Sequence, residues 1–368
     1  MELCKVVRLL LFFLLGSYSV GLCAQSDLSA MEEQVQILQD EITILHDQLE
    51  EVNQDNFNRM SISGYTDLEY HESSNPGEDR GFRLHHMSLF FEKRVTDSWK
   101  FFSEIEYEDG PKFEAADGTF KDADGKIFLE AVNFTLFAHP MLNFRGGRFF
   151  TPAGIWSVDH YPPFVPTQIR PAHIREIFPQ VVDGVTVFGT LPMGSMFVNY
   201  DAYVGNGEDA NGKGDNDSKK ATGAKLSFLL PMFKYFEFGG SAYEDTLKTG
   251  EEKQAYGGHL KLKIYKFTLQ GEYAGASLDD AGDSRKQTGY YGQLQFDTQY
   301  WTFGGRYDYF DADDEDDNDR TASSAFVNYH VNDSIVLKLE HHVVEFNDQT
   351  VDEDYDHTIA SVVIYLGN

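Results

Sequence analysis

Past residue 24 the chain contains no cysteine, because its two, Cys4 and Cys23, both lie near the start. That excludes a disulfide framework and a thiolate metal site from the remainder. Basic residues are also scarce, 30 Lys and Arg against 60 Asp and Glu, for a net charge of −30. Nucleic-acid binding rests on neutralised phosphates, so that partner is excluded. Beyond the N-terminus no run approaches the ~18 consecutive apolar residues of a membrane helix. Catalytic signatures are missing too. There is no G-x-S-x-G, H-E-x-x-H or P-loop, so neither an enzyme nor a cofactor is expected. What is abundant is aromatic, 30 Phe and 20 Tyr. Girdles at two membrane interfaces account for such usage.

The N-terminus has the layout of a secretory signal. Lys5 and Arg8 form a basic region, Leu9 to Leu15 an apolar core, and small residues lead to Leu22-Cys23-Ala24. This predicts a cleavable segment over 1–24. Apolar residues then recur at Leu28, Met31, Val35, Leu38, Ile42, Leu45, Leu49 and Val52, alternately three and four apart, with acidic and amide residues between. Such a seam predicts a coiled-coil helix over 27–56 that joins copies of the chain, the alternative being a single helix folded back onto the barrel or plugging it.

After Asn56 the period falls to two. Trp99, Phe101, Ser103, Ile105 and Tyr107 alternate with Lys100, Phe102, Glu104, Glu106 and Glu108, and similar dyads fill Tyr256 to Ile264 and Trp301 to Tyr309. A soluble sandwich would alternate likewise, so the connections decide. Sixteen strands are predicted near 61–71, 81–94, 98–109, 126–138, 141–150, 183–190, 196–204, 221–230, 235–243, 255–265, 266–276, 287–297, 300–310, 321–331, 335–344 and 355–367. Joints alternate between short turns, such as His139-Pro140, and long loops at 72–80, 110–125, 151–182, 205–220, 244–254, 277–286, 311–320 and 345–354. An even number of antiparallel strands with turns at one end and loops at the other is the pattern of an all-β transmembrane barrel. The fold expected is thus a 16-stranded barrel over 60–368 in a bacterial outer membrane, with the coiled coil in the periplasm. Tyr355 to Leu366 is apolar and alternating enough to close onto the first strand.

The third long loop, 151–182, carries six prolines and a set of charges, Asp159, Arg170, Arg175 and Glu176 among them. Folded inward, it would narrow the lumen, and Arg170 and Arg175 become candidate selectivity residues. Equally, they could be loop partners of Asp159 and Glu176. Alternation sends Arg145 of the preceding strand into the lumen but Arg148 outward. Either a bulge at Gly146-Gly147 turns Arg148 inward, or it lies above the apolar band. Arg306 is a further lumen candidate. The lumen set mixes signs, with Lys100, Lys225, Lys261, Arg306 and Lys338 against Asp67, Glu69, Glu104, Glu272 and Glu340, which fits a watery interior. The run Asp311 to Asp319 reads as a solvated loop, with divalent bridging to lipopolysaccharide as the rarer use. His85-His86 and His341-His342 look like metal ligands, but strand neighbours point to opposite faces, so no metal is expected.

Arg145-Gly146-Gly147-Arg148-Phe149-Phe150-Thr151-Pro152-Ala153-Gly154, the loop, and Asp183-Gly184-Val185-Thr186-Val187-Phe188-Gly189 together resemble the phosphate-selective porin O/P-like family. The coil before the barrel is also similar to the DcaP-like porins. The resemblance covers most of 60–368 and implies sixteen strands, a homotrimer and passage of small anions. The expected function is a diffusion channel for small hydrophilic solutes such as phosphate or small carboxylates, embedded among outer-membrane lipid and lipopolysaccharide. The other reading is a structural tether whose coil binds peptidoglycan or a periplasmic partner.

Overall fold

The computed structural model describes residues 59–367, apart from 76–79, 110–112, 115–118, 121–125, 175, 209–214, 216–218, 281–282, 315–318 and 348–353. The expected signal and coiled coil lie outside the described residues. Eighteen strands run in chain order: β1 (Ser61–Ser73), β2 (Gly81–Arg94), β3 (Trp99–Glu108), β4 (Phe113–Glu114), β5 (Thr119–Phe120), β6 (Lys126–His139), β7 (Leu142–Phe150), β8 (Val181–Met193), β9 (Met196–Gly205), β10 (Ala221–Leu230), β11 (Tyr235–Thr246), β12 (Glu252–Ile264), β13 (Phe267–Asp280), β14 (Asp283–Asp297), β15 (Trp301–Asp311), β16 (Arg320–His330), β17 (Ile335–Phe346) and β18 (Tyr355–Tyr365). Sixteen of them form one closed antiparallel barrel, and β4 pairs with β5 as a small hairpin inside a loop. Hydrocarbon offers no partners to backbone amides, so a spanning sheet must close. Here β18 closes onto β1 from Tyr65↔Tyr365 to Ser73↔His357.

The outward face is apolar and banded. At the short-turn end Trp301 packs on Tyr329 with centroids 4.6 Å apart, Phe267 on Phe296 at 4.9 Å and Phe228 on Phe238 at 5.2 Å. Towards the long-loop end Tyr70 meets Phe82 at 5.2 Å and Tyr290 meets Tyr309 at 5.1 Å. Between these belts stand Leu68, Ile105, Leu269, Leu294 and Leu339, all exposed. Two aromatic belts around an aliphatic band match a wall set in lipid.

Three expectations are corrected. The long loop expected at 277–286 is mostly strand, since β13 and β14 stay paired from Ser277↔Lys286 to Asp280↔Asp283. Polar side chains there mislead because a ladder above the apolar band needs no apolar face. Secondly, no bulge turns Arg148 inward: β6 and β7 keep register from Thr135↔Arg145 through Phe134↔Gly146 and Asn133↔Gly147 to Val132↔Arg148. Thirdly, His85 and His86 do not point to opposite faces. The register shifts so that Thr66 pairs with Met87 while Leu68 pairs with Leu84, leaving Asp67 opposite both histidines. Two residues against one is a β-bulge, and it brings both imidazoles to the lumen side.

Candidate functional site

The loop between β7 and β8, 151–180, folds into the barrel and is tied to the wall strand by strand. Its entrance is set by Gly154, whose φ of 52° suits glycine and whose missing Cβ makes room for the Glu272 carboxylate. Glu272 on β13 accepts hydrogen bonds from the Ile155 and Trp156 amides at 2.8 and 3.0 Å and from the Tyr291 hydroxyl at 2.8 Å. Lys225 on β10 donates to the Gly154 carbonyl at 2.6 Å. Further along, Tyr161 donates to Glu104 on β3 at 3.0 Å. Burial, with the neighbouring Glu104 carboxylate, pushes the Tyr161 hydroxyl well above its ordinary pKa.

The turn at the bottom of the loop is held from the opposite wall. Lys338 on β17 donates to the carbonyls of Pro162 and Val165 at 2.6 and 2.8 Å and to the Gln168 side chain at 3.1 Å. Arg306 on β15 donates to Thr167 Oγ1 at 2.8 Å and to the Ile169 carbonyl at 3.1 Å, and pairs with Asp308 at 3.1 Å. Gln168 reaches β1, its amide donating to Asp67 at 2.8 Å and Glu69 at 2.7 Å, while its backbone N–H donates to Glu340. On the returning limb His173 stacks on Tyr291, and burial pushes its pKa down to about 4 despite the nearby Asp308. Ile177 and Phe178 then join an apolar cluster with Phe149, Val182, Tyr203 and Tyr243.

These ties change the picture of the lumen. Asp67, Glu69, Glu104, Arg306, Lys338 and Glu340 are all under 5% exposed, so that half of the interior is packed, not watery. Buried charges are costly unless paired and hydrogen-bonded, and the loop backbone supplies the missing partners. Sixteen barrel strands around a free loop would leave these groups to water. The docked loop needs them.

Open space remains on the other side. A cavity of about 360 Å³ lies between Pro152 and Val158 of the loop and the wall of β3, β6, β7, β9 and β10. Its lining includes Lys100, Asn133, Thr135, Arg145, Asp201 and Lys225. Arg145 lies over the Phe188 ring, 4.8 Å from its centroid, and its Nε donates to Thr135 at 3.3 Å. Asp201 stands opposite Lys225 in the β9–β10 ladder. Three cations and one carboxylate thus line this passage, and Lys100 is also paired with Glu92 at 2.6 Å.

The sequence candidates therefore separate. Arg145 lines the cavity. Arg170 is half-buried, with Glu104 among its electrostatic partners, and Arg175 lies outside the described residues. Arg306 is a buried anchor of the loop, away from the cavity lining. Arg148 is not in the lumen at all: it pairs with outward Asp183 at 2.6 Å through both Nε and Nη2. Its third contact is the Leu129 carbonyl at 3.2 Å, on the stretch of β6 that runs beyond the end of β7. The guanidinium thus ties β6 and β8 together across the end of β7. Asp201 escaped the sequence reading, although Asn199, Asp201 and Tyr203 alternate with Val198, Tyr200, Ala202 and Val204 along β9. Gln168 gave no signal, since nothing local marks an amide that meets residues about a hundred positions away.

A family model described as Gram-negative porin matches residues 97–349. An uncharacterized protein of Aquifex aeolicus (strain VF5) is 28% identical over 209 residues, which cover 56% of this chain and 41% of that protein. The chain thus spans less than half the length of that relative. Among solved structures the fold is similar to an anion-selective porin from Comamonas acidovorans, at 12% identity and a TM-score of 0.62, over 84% of this chain and 99% of that one. It is also similar to OmpF of Salmonella typhi in complex with daunomycin, at 11% identity and a TM-score of 0.57, over 85% and 99%. The trimer form of OmpT, an outer membrane protein of Vibrio cholerae, is 14% identical with a TM-score of 0.53, over 83% and 99%. Identities this low speak to fold alone.

Proposed function

The chain belongs to the Gram-negative porin family, and from that premise we propose an outer-membrane diffusion channel that prefers small hydrophilic anions. One observation carries the preference: among the described residues that line the space left by the docked loop, Lys100, Arg145 and Lys225 stand against one carboxylate, Asp201, with Glu92 outside that lining paired to Lys100 at 2.6 Å. At roughly 5 Å and an effective dielectric constant near 20, each unit charge acts on a passing ion with ~3 kcal/mol. The acidic outer loops lie farther off, and a Debye length of ~8 Å screens them at physiological salt. Passage of this kind asks for orientation and charge and no covalent chemistry.

Phosphate and small carboxylates are the substrate class this lining suits, in keeping with the resemblance to phosphate-selective porins. Arg170, beside Glu104, is the loop residue proposed to tune entry. Assembly is proposed as a homotrimer, with the 27–56 seam as a contributor on the periplasmic side. A tether would gain nothing from a cationic passage, so that reading is the weaker one.

Solute uptake into proteoliposomes tests the proposal. A small carboxylate is expected to enter faster than an amine of equal size, with a neutral analogue between them. Faster entry of the amine would reverse the proposed preference, and no entry of any would remove the channel.

A further inference from the structure

Beyond the passage itself, the bulge in β2 gathers a set of donor atoms that transport does not use. Strict alternation would put one of His85 and His86 towards lipid. The shifted register sets both towards the lumen, where Asp67 and Glu69 project from β1. His86 Nδ1 lies 3.0 Å from Asp67 Oδ2, and His85 Nδ1 lies 3.1 Å from Glu69 Oε1. One donor atom from each of the four residues falls within 4.8 Å of every other. Bonds of ~2.0–2.1 Å around a tetrahedral ion put neighbouring ligand atoms about 3.3 Å apart, so two of the contacts are already near that spacing.

We propose that Asp67, Glu69, His85 and His86 form a binding site for one divalent transition-metal ion of the zinc class in the lumen wall. Two imidazoles and two carboxylates are a donor set that suits such an ion, and they sit on two strands of a closed sheet, not on a loop. The surroundings also hold the ligands in place. His71 Nε2 lies 2.6 Å from Glu69 Oε2, and the other His71 nitrogen lies 2.9 Å from His357 Nε2. The His86 backbone amide donates to Asp67 Oδ1 at 2.7 Å, and His86 Nε2 lies 3.9 Å from Glu108. A carboxylate behind a ligating histidine orients the ring and raises its basicity.

Charge and access are compatible with an ion as well. Lys338 is the cation of this neighbourhood, and it answers Glu340 and the loop carbonyls as well as Asp67 and Glu69. An ion would take the place now held by the Gln168 amide hydrogens, which bridge Asp67 Oδ2 and Glu69 Oε1. His85 and His71 keep 18% and 14% of their side-chain surface exposed, which leaves an approach from the lumen.

The bland account of the same atoms is a set of histidine counter-ions for two buried carboxylates, and metal binding separates the two. Full-length protein in detergent, stripped with a chelator and dialysed against Zn²⁺, is expected to retain one ion per chain. His85→Gln, at the partly exposed ligand, should weaken retention tenfold or more, since even outer partners of a metal are worth 10–100-fold. His341→Gln should match the unchanged protein, because His341 pairs with Thr358 on the exposed face. Bound Co²⁺ should show visible absorption that His85→Gln reduces. Wild-type protein that retains no Zn²⁺, or an H85Q variant that retains it equally well, overturns the site. Neither result bears on ion selectivity, so failure here leaves the channel proposal standing.

Discussion

Replacing Lys100 and Arg145 together by glutamate is expected to swing the channel from anion preference to cation preference. Lys100, Arg145 and Lys225 face Asp201 across one cavity, so the double replacement turns a net charge of +2 among these four side chains into −2. Lys225 is left alone because it also holds the Gly154 carbonyl of the loop. Each reversal changes the charge by two units and so the interaction with a passing ion by an amount on the order of 6 kcal/mol at low salt, and the swing should shrink as ionic strength rises. Removing two charges from Asp311, Asp313 and Asp314 is the control. These residues lie at the outer end of β15 and beyond it, so their loss should change the reversal potential much less. A double variant that conducts normally with unchanged reversal potential would place the filter elsewhere, with Arg170 the next residue to reverse.

The second large effect concerns the loop. Replacing residues 155–177 by a short flexible link should raise single-channel conductance severalfold and flatten selectivity. The ends permit it: Phe150 pairs with Val181, and the Thr151 amide donates to the Gln180 carbonyl at 3.0 Å, so the loop leaves and rejoins the wall at neighbouring points. Without the loop, Glu272, Arg306, Lys338 and Glu340 return to water, which solvates charges that were costly to bury. The barrel ladder is untouched, so the protein should still insert. Conductance that stays the same after excision would mean the loop does not narrow the path.

Much of this architecture was legible in the chain. Period-two alternation and the regular exchange of short and long joints located all sixteen barrel strands, because lipid outside and polar groups inside act on every second residue. The exceptions are instructive. Residues 277–286 read as a loop because the ladder there rises above the apolar band and carries Asp279, Asp280 and Asp283. The histidine pair misled because a bulge is a register event between two strands, and no single strand records it. Arg145 was placed correctly by alternation alone. Arg306 was placed on the correct face, but its task as an anchor depends on the loop meeting it from 137 positions away. Asp67 and Glu340 likewise become a dry seat once Gln168 arrives. What the sequence leaves open is therefore the long-range docking of a proline-stiffened loop, whose partners lie on seven or more separate strands.

A docked loop that leaves a net-positive passage is tested most directly by the reversal potential of the unmodified protein in a planar bilayer under a salt gradient. The predicted result is a potential of the sign set by anions, approaching zero selectivity as both baths are made more concentrated. A potential of the sign set by cations at low salt would contradict the account.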